Sequence, residues 1–593
     1  MTGKTATQNK PVAWTKSPLP DESPAQRLDR LAHAAMAPLV GEISPVSMAL
    51  AWADWAWHLG VSPGRQIELA KLAASLGMDA VSNDGTKKHD AGITDDDPRF
   101  RDEAWAKWPF SQLRTGFRNT EAFWHEASRA PGMTAHHAHM THFFSRQWLD
   151  MMAPANWLVT NPVVLRDVVE SNGTHLRQGA QNWTSDVAGV PSPEENAEAQ
   201  RFQAGRDVAI TPGQVVYRNR LIELIRFDAE THKVYPEPIL IIPPWIMKYY
   251  ILDLSPHNSM VRYLVAQGHT VYIISWLNPD ASDHDLTMDD YLRLGVFDAL
   301  RAVGAFTKKH IGVHAMGYCL GGTLLSIATA ALARTGGVAA TEDLPVIKSL
   351  TLLAAQTDFS EPGELGLFID ESQVDFLDGI TQGKGYLTGK QMAGSFEFLH
   401  SRELIWTRRM REYLMGEREQ RTDLMAWNAD TTRLPARMHH EYLTSLYLHN
   451  ALANSAYRVE ERVISLADIR VPVFMVGTRR DHISPWTSVY KLHYLCDAEI
   501  TFVLTSGGHN AGIVSEPGHA NRSYQMDTRA AHGAWVEHEQ WVAQAIRHEG
   551  SWWQAWHGWL ARRSGRKQPA KSIPAAKSLY KAPGTYVMQR YED

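Results

Sequence analysis

Cysteine is the scarcest chemistry-bearing residue: Cys319 and Cys496 are the only two in 593 residues. That excludes a disulfide framework and a cysteine-rich metal site, and it suits a reducing cytoplasm. Long apolar runs are also missing, so no transmembrane segment is expected. Residues 1–20 are polar and carry Lys, Thr and Pro without the apolar stretch of a signal peptide. Nor does one sign of charge dominate. Lys and Arg total 59, Asp and Glu 65, for a net −6, which argues against a nucleic-acid partner. What the chain has in excess is aromatic and imidazole side chains, with 21 Trp and 27 His. Indoles at that level build cores or face an apolar substrate or surface. The length exceeds one simple core and predicts two domains, or one large domain with attachments.

The most informative stretch is Gly317-Tyr318-Cys319-Leu320-Gly321-Gly322. An apolar strand-like run (311–316) precedes it and a helical run (324–332) follows. Strand, sharp turn and helix with glycines around the central residue form a nucleophile elbow of the G-x-S-x-G type, with cysteine in place of serine. Gly317, Gly321 and Gly322 are expected where a Cβ has no room. The bland alternative is a buried structural cysteine after a strand. A thiol at the tip of such a turn, backed by helix amides, instead predicts acyl transfer through a thioester.

Along the chain, residues 1–25 are Pro- and Ser-rich and read as a mobile N-terminal segment. Helical periodicity then dominates and strand signals are nearly absent before residue 207, which predicts a helical N-terminal domain over 26–204. A polar, acidic loop is expected over 82–97. From 205 to 593 strands alternate with helices, at 208–210, 215–217, 221–227, 239–242, 271–275, 311–315, 350–353, 473–476 and 501–504. Apolar strands separated by helices predict a mostly parallel sheet covered on both faces, an α/β-hydrolase fold. More than a hundred residues separate the strand ending near Leu353 from the one starting near Val471, too many for one crossover. Residues 358–440 are therefore read as an inserted lid or cap, rich in aromatics. The Trp-rich stretch Trp552, Trp553, Trp556 and Trp559 predicts a docked terminal helix.

A cysteine nucleophile needs a base, and the base an orienting group. In α/β-hydrolase order the acid and then the histidine follow the nucleophile. Asp481 and His509 fit, each just past a strand end. His482 is the competing histidine beside Asp481. The oxyanion calls for two amides: the N–H of Leu320, and one from the loop after 239–242. Pro243 and Pro244 carry no N–H, leaving Trp245 or Ile246, with Ile246 preferred.

These residues carry a resemblance. The elbow, the run Pro244 to Pro256, Ser275 to Asp280, Trp427 to Pro435, Asp481 to Trp486 and Gly550 to Trp553 resemble the polyhydroxyalkanoate synthases, as do 150–162 and 205–213. The resemblance covers the chain from about residue 95 onward. It implies a polymerase that takes (R)-3-hydroxyacyl-CoA, releases CoA and grows a polyester on Cys319, with His509 as base and Asp481 as its partner. Acyl-CoA would be the substrate, and neither cofactor nor metal is implied. It further implies a homodimer at the surface of polymer granules in the cytoplasm, and Tyr249 to Asp253 lean toward the class I enzymes and short acyl chains such as 3-hydroxybutyryl. A thioesterase or polyester depolymerase on the same scaffold, and a non-catalytic granule-associated protein, are the rival readings. Beside the site the chain departs from the family's common pattern at Trp245, Arg480 and Asn510.

Overall fold

A computed structural model describes residues 23–38, 40–82, 97–189, 201–308, 310–334, 344–392, 394 and 401–590. Nearly all of the expected N-terminal segment and of the acidic loop lies outside them. The chain from Gly213 onward is built on one eleven-stranded sheet. In chain order its strands are β1 (Gly213–Arg218), β2 (Ile222–Phe227), β3 (Ile239–Ile242), β4 (Val271–Trp276), β5 (Val313–Tyr318), β6 (Ile347–Leu353), β7 (Val473–Thr478), β8 (Ile500–Thr505), β9 (Ser523–Arg529), β10 (Ile546–Glu549) and β11 (Tyr580–Lys581). They are arranged β10-β9-β8-β7-β6-β5-β3-β4-β2-β1-β11. The six from β4 to β8 through β3 are parallel, and the flanking pairs are antiparallel.

The central strands are largely apolar and fully buried. That is what a sheet covered on both faces requires. The stretch 208–210 departs from its expectation. Ala209 takes φ +54° and its N–H is spent on the Asp253 carbonyl at 2.8 Å, so only an isolated bridge between Ala204 and Val208 forms. Strands β9 to β11 leave no apolar signature in the sequence, because their residues are mostly polar and are half-exposed in β9 and largely exposed in β10 and β11.

The N-terminal helices are α1 (Pro24–Met36), α2 (Pro45–Gly60), α3 (Pro63–Ser82), α4 (Phe110–Ala127), α5 (Ala135–Met152), α6 (Pro162–Glu170) and α7 (Thr174–Ala188). Rather than standing apart, they grip the insertion between β6 and β7. Ile43, Ala51, Met140, Phe143 and Phe144 pack against Leu365, Leu367 and Phe368. Arg99 bridges Asp97, Glu121 and the buried Asp150, and Arg402 of the insertion reaches Asp150 at 2.9 Å. A buried guanidinium with so many carboxylates is held firmly because removing either charge strands the other.

At the other end, the helix Trp553–Arg563 buries Trp553, Trp556 and Trp559, with Trp552 just before it. Trp556 donates to Thr351 Oγ1 at 3.0 Å. The basic tail beyond it does not trail away. It returns to pair β11 with β1, and the N–H groups of Thr585 and Tyr586 bond the buried Glu223 carboxylate at 2.7 and 3.0 Å.

Candidate active site

Cys319 sits between β5 and the helix α8 (Leu320–Ala333), at φ 52° and ψ −126°. A positive φ on a residue with a side chain is strained, and strain kept at an elbow marks a site that needs it. The glycines make the turn possible. A Cβ on Gly317 would strike Gly322, one on Gly321 would strike the carbonyls of Ile242 and Pro243, and one on Gly322 would strike Ala355. The elbow thus lies directly against the loop that follows β3.

Asp481 and His509 come from loops after β7 and β8, adjacent parallel strands. His509 Nδ1 lies 2.8 Å from Asp481 Oδ2, and the imidazole is within hydrogen-bonding reach of the Cys319 sulfur. Asp481 is oriented by four donors. Its Oδ1 accepts the N–H groups of Ile483 and Ser484 at 3.0 and 2.8 Å, and its Oδ2 also accepts the Thr478 hydroxyl at 2.8 Å. Burial alone would push the Asp481 pKa up, but His509 and these donors outweigh it and hold the carboxyl below its usual range. For His509, burial pulls the pKa down, yet the Asp481 carboxylate and the Cys319 sulfur win and hold it well above that of an ordinary imidazole. All three side chains are buried.

The competing residues fall elsewhere. The carbonyl of His482 accepts from Glu364 at 3.1 Å, while the bond to His509 comes from Asp481. Cys496 is buried, which pushes its thiol pKa up, and Arg529 holds its carbonyl at 2.7 Å.

The residues expected to supply the oxyanion amides line one cavity. Leu320 opens α8, so its N–H has no acceptor in a preceding turn. Thr432 holds two carbonyls of the facing loop: its hydroxyl donates to Trp245 O at 2.5 Å and its N–H to Ile246 O at 3.1 Å. Because a trans peptide points its C=O and N–H in opposite directions, the Ile246 N–H faces away from Thr432. Leu320, Ile246 and Trp245 together line a cavity of about 130 Å³ whose other walls include Ile43, Phe368 and Tyr447. Trp245 is fixed in an aromatic nest with Trp276, Tyr291 and Tyr442.

Several groups here were not read from sequence. Tyr442 donates to Tyr447 at 3.1 Å. Burial raises the pKa of both phenols, and the Cys319 sulfur adds to the rise, so the pair lies near that sulfur. These residues extend the cover past residue 440. Tyr318 stacks on His509 at 5.6 Å and donates to Asn510 Oδ1 at 2.5 Å. The only signal was the position of Tyr318 within the elbow. Asn510, unusual for the resemblance, therefore props the ring that packs on the histidine.

A mostly parallel sheet, a strained elbow after the fifth strand, and an acid and histidine following in that order define an enzyme of the α/β-hydrolase fold. The family described as "alpha/beta hydrolase fold" matches residues 237–516. Poly-beta-hydroxybutyrate polymerase N-terminal families match residues 23–65 and 96–264. The chain is 38% identical over 501 residues to a poly(3-hydroxyalkanoate) polymerase of Methylorubrum extorquens, covering 83% of this chain and 81% of that one. It is 37% identical over 454 residues to the poly(3-hydroxyalkanoate) polymerase subunit PhaC of Cupriavidus necator, covering 75% of each. Poly(3-hydroxyalkanoate) polymerase 2 of Ectopseudomonas oleovorans is 31% identical over 83% of this chain and 87% of its own. The chain belongs to the poly(3-hydroxyalkanoate) polymerase family. Among solved structures, the thioesterase domain from the curacin biosynthetic pathway overlays 51% of this chain and 94% of its own, with a TM-score of 0.29 and 13% identity. Among the described residues no helix is long and apolar enough to cross a membrane.

Proposed function

We propose that this chain is a polyhydroxyalkanoate synthase that polymerises (R)-3-hydroxyacyl-CoA through a Cys319-linked acyl-enzyme. The observation that carries the reading is His509, bonded to Asp481 at 2.8 Å and in reach of the Cys319 sulfur. The sulfur of Cys319 attacks the thioester carbonyl, and the N–H groups of Leu320 and Ile246 take the oxyanion. The carbonyl re-forms, the carbon–sulfur bond to CoA breaks, and the proton held on His509 goes to the departing thiolate. In the second half His509 takes the proton of a 3-hydroxyl, whose oxygen attacks the Cys319 thioester. An ester forms and the Cys319 sulfur is released for the next acyl group. Exchange of one thioester for another is nearly isoenergetic, which favours cysteine over serine at the elbow.

Both halves need water kept out, since water in place of the hydroxyl would yield free hydroxyacid. Burial of Cys319 and His509, with Tyr442 and Tyr447 near the sulfur, supports polymerisation over hydrolysis. The small volume beside Leu320 suits a short side chain, with 3-hydroxybutyryl-CoA as the natural donor. The same reading includes a homodimer at polymer granules, and the exposed indoles of Trp57, Trp108 and Trp148 suit an apolar polymer or a second copy. The direct test is incubation with (R)-3-hydroxybutyryl-CoA. Released CoA and polymer are expected from the parent and neither from Cys319→Ala, whereas monomeric hydroxyacid as the main product would identify a hydrolase.

A further inference from the structure

The cavity beside Leu320 is walled mostly by apolar side chains, yet the imidazole of His439, only 6 % exposed, lines it as well. Other polar groups of that wall are taken up by protein partners. Gln373 donates through Nε2 to Glu42 O at 2.9 Å and accepts the Ser44 N–H at 2.6 Å, and Tyr442 donates to Tyr447 at 3.1 Å. The ring of His439 makes no hydrogen bond among the described residues. The next residue is a contrast, since His440 Nδ1 lies 2.6 Å from Asp378 Oδ2. Burial holds the His439 pKa down to about 4, so the neutral ring offers one N–H donor and one bare nitrogen acceptor. Enclosing both without partners costs stability that an apolar side chain would keep. The indole N–H of Trp245 has no acceptor among the described residues either, but it can only donate, and its ring is held by Trp276, Tyr291 and Tyr442.

The local fold sets where that ring stands. His439 lies on the helix Ala436–Tyr442, whose turns run on through Leu443–Leu448. Residues three and four apart share a helix face, and His439, Tyr442, Leu443 and Tyr447 all line the cavity. Tyr442 and Tyr447 are near the Cys319 sulfur. His439 therefore stands about one turn, or about 5 Å, before Tyr442 on the same wall. Leu320, the residue after the nucleophile, and Ile246 line the cavity too, so an acyl group whose carbonyl oxygen is held by their amides continues into it. From that carbonyl carbon, the bonds through C2 and C3 to the C3 oxygen, together with one hydrogen bond, span about one helical turn.

We propose that His439 is a substrate-binding residue that hydrogen-bonds the C3 oxygen of the acyl group carried on Cys319. The proposal rests on the synthase reading above and adds the group that tells a 3-hydroxyacyl donor from a plain acyl one. A free C3 hydroxyl both gives to and takes from an imidazole, and once esterified within a chain the C3 oxygen still accepts the ring N–H. A site that buries a polar group for a substrate hydroxyl rejects the analogue lacking it, because the site's own group is then left unpaired. The hydroxyl that attacks in the second half belongs to a different acyl group and meets His509, so the two oxygens do not compete for one partner.

The test compares single-turnover CoA release from (R)-3-hydroxybutyryl-CoA and from butyryl-CoA, which differ in that hydroxyl alone. The first half of the reaction consumes no hydroxyl, so both donors can acylate Cys319. Full-length parent, His439→Leu and His439→Phe are used, with His439→Asn and His439→Gln as amide replacements. The parent is expected to favour the hydroxylated donor about tenfold or more at limiting donor concentration. His439→Leu and His439→Phe bring the two donors within about twofold by slowing the hydroxylated one, and one of the amide variants recovers part of the preference. The ratio between donors is independent of the folded fraction, and the test stands if either apolar variant folds. A parent without the preference overturns the proposal. So does a preference that survives in the apolar variants, including an equal loss on both donors, which marks a structural role. Free hydroxyacid as the product, with the preference still lost in His439→Leu, refutes the synthase reading and supports the assignment of His439. A parent that releases CoA from neither donor refutes both.

Discussion

Replacing Asp481 with Asn isolates what the carboxylate does for His509, because size and shape are kept while one acceptor becomes a donor. In the parent, Asp481 Oδ1 takes two backbone N–H groups, and an amide oxygen can keep both. At Oδ2 the parent accepts Thr478 and His509, each at 2.8 Å. An amide NH2 there faces two donors. The Thr478 hydroxyl can rotate, but His509 must turn a lone pair toward the amide and carry its proton on Nε2, facing the sulfur. It can then no longer accept a proton from a thiol or hydroxyl. We expect CoA release to fall by about 10³ to 10⁴, or about 4 to 5.5 kcal/mol of transition-state stabilisation. The fold should survive with a loss of about 1.5 to 3 kcal/mol from the charge-assisted bond.

The pH dependence follows from the shifts. In the parent the raised His509 pKa means its stabilising contribution is fully present below the unfolded value of about 6.5 and is lost as pH rises through the folded value. In Asp481→Asn burial dominates and the sign reverses, so holding His509 neutral costs stability as pH falls below about 6.5. The stability gap between parent and variant should therefore widen as pH is lowered from about 8 to about 6. Single-turnover CoA release and urea titrations at several pH values measure both effects. A folded variant that releases CoA within tenfold of the parent would refute the assignment of Asp481 as the orienting acid.

Other predictions are independent of that pair. Gly321→Ala should cut CoA release at least 100-fold while leaving a folded chain, because its Cβ would displace the loop carrying Ile246, and loss of one oxyanion donor costs about 10² to 10³; near-parental rates would mean the loop can yield. Cys496→Ser should leave CoA release intact, since that residue is buried away from His509 and paired through its carbonyl to Arg529. Trp556→Ala should destabilise by about 3 to 5 kcal/mol, read from the urea midpoint, because a fully buried indole and its bond to Thr351 are lost. Burial holds the pKa of His269 down to about 3 and those of His314, His439 and His493 down to about 4. The unfolded chain binds their protons first, so stability should fall steadily as pH drops from about 6.5 toward 4; a flat profile over that window would show that these imidazoles are hydrated.

The sequence by itself determined the chemistry that depends on neighbouring residues. A thiol at a strand-to-helix turn is legible because only glycine tolerates the approach at 317, 321 and 322, and that requirement is written in spacing. Apolar runs betrayed the buried parallel strands because both faces must avoid water, and the chain order of Cys319, Asp481 and His509 followed from strand ends sharing one edge. Polar edge strands such as β9 left no such mark. Only the tertiary structure decided how distant segments meet: the N-terminal wall at Ile43, the phenols of Tyr442 and Tyr447 near the sulfur, Asn510 propping Tyr318, and the tail at Gln589 tied to Lys248. It likewise gathered Arg201, Arg421 and Arg590, scattered over almost four hundred residues, around one hollow. Such pairings are carried by single side chains with no period or flanking pattern, so the chain must fold before they exist.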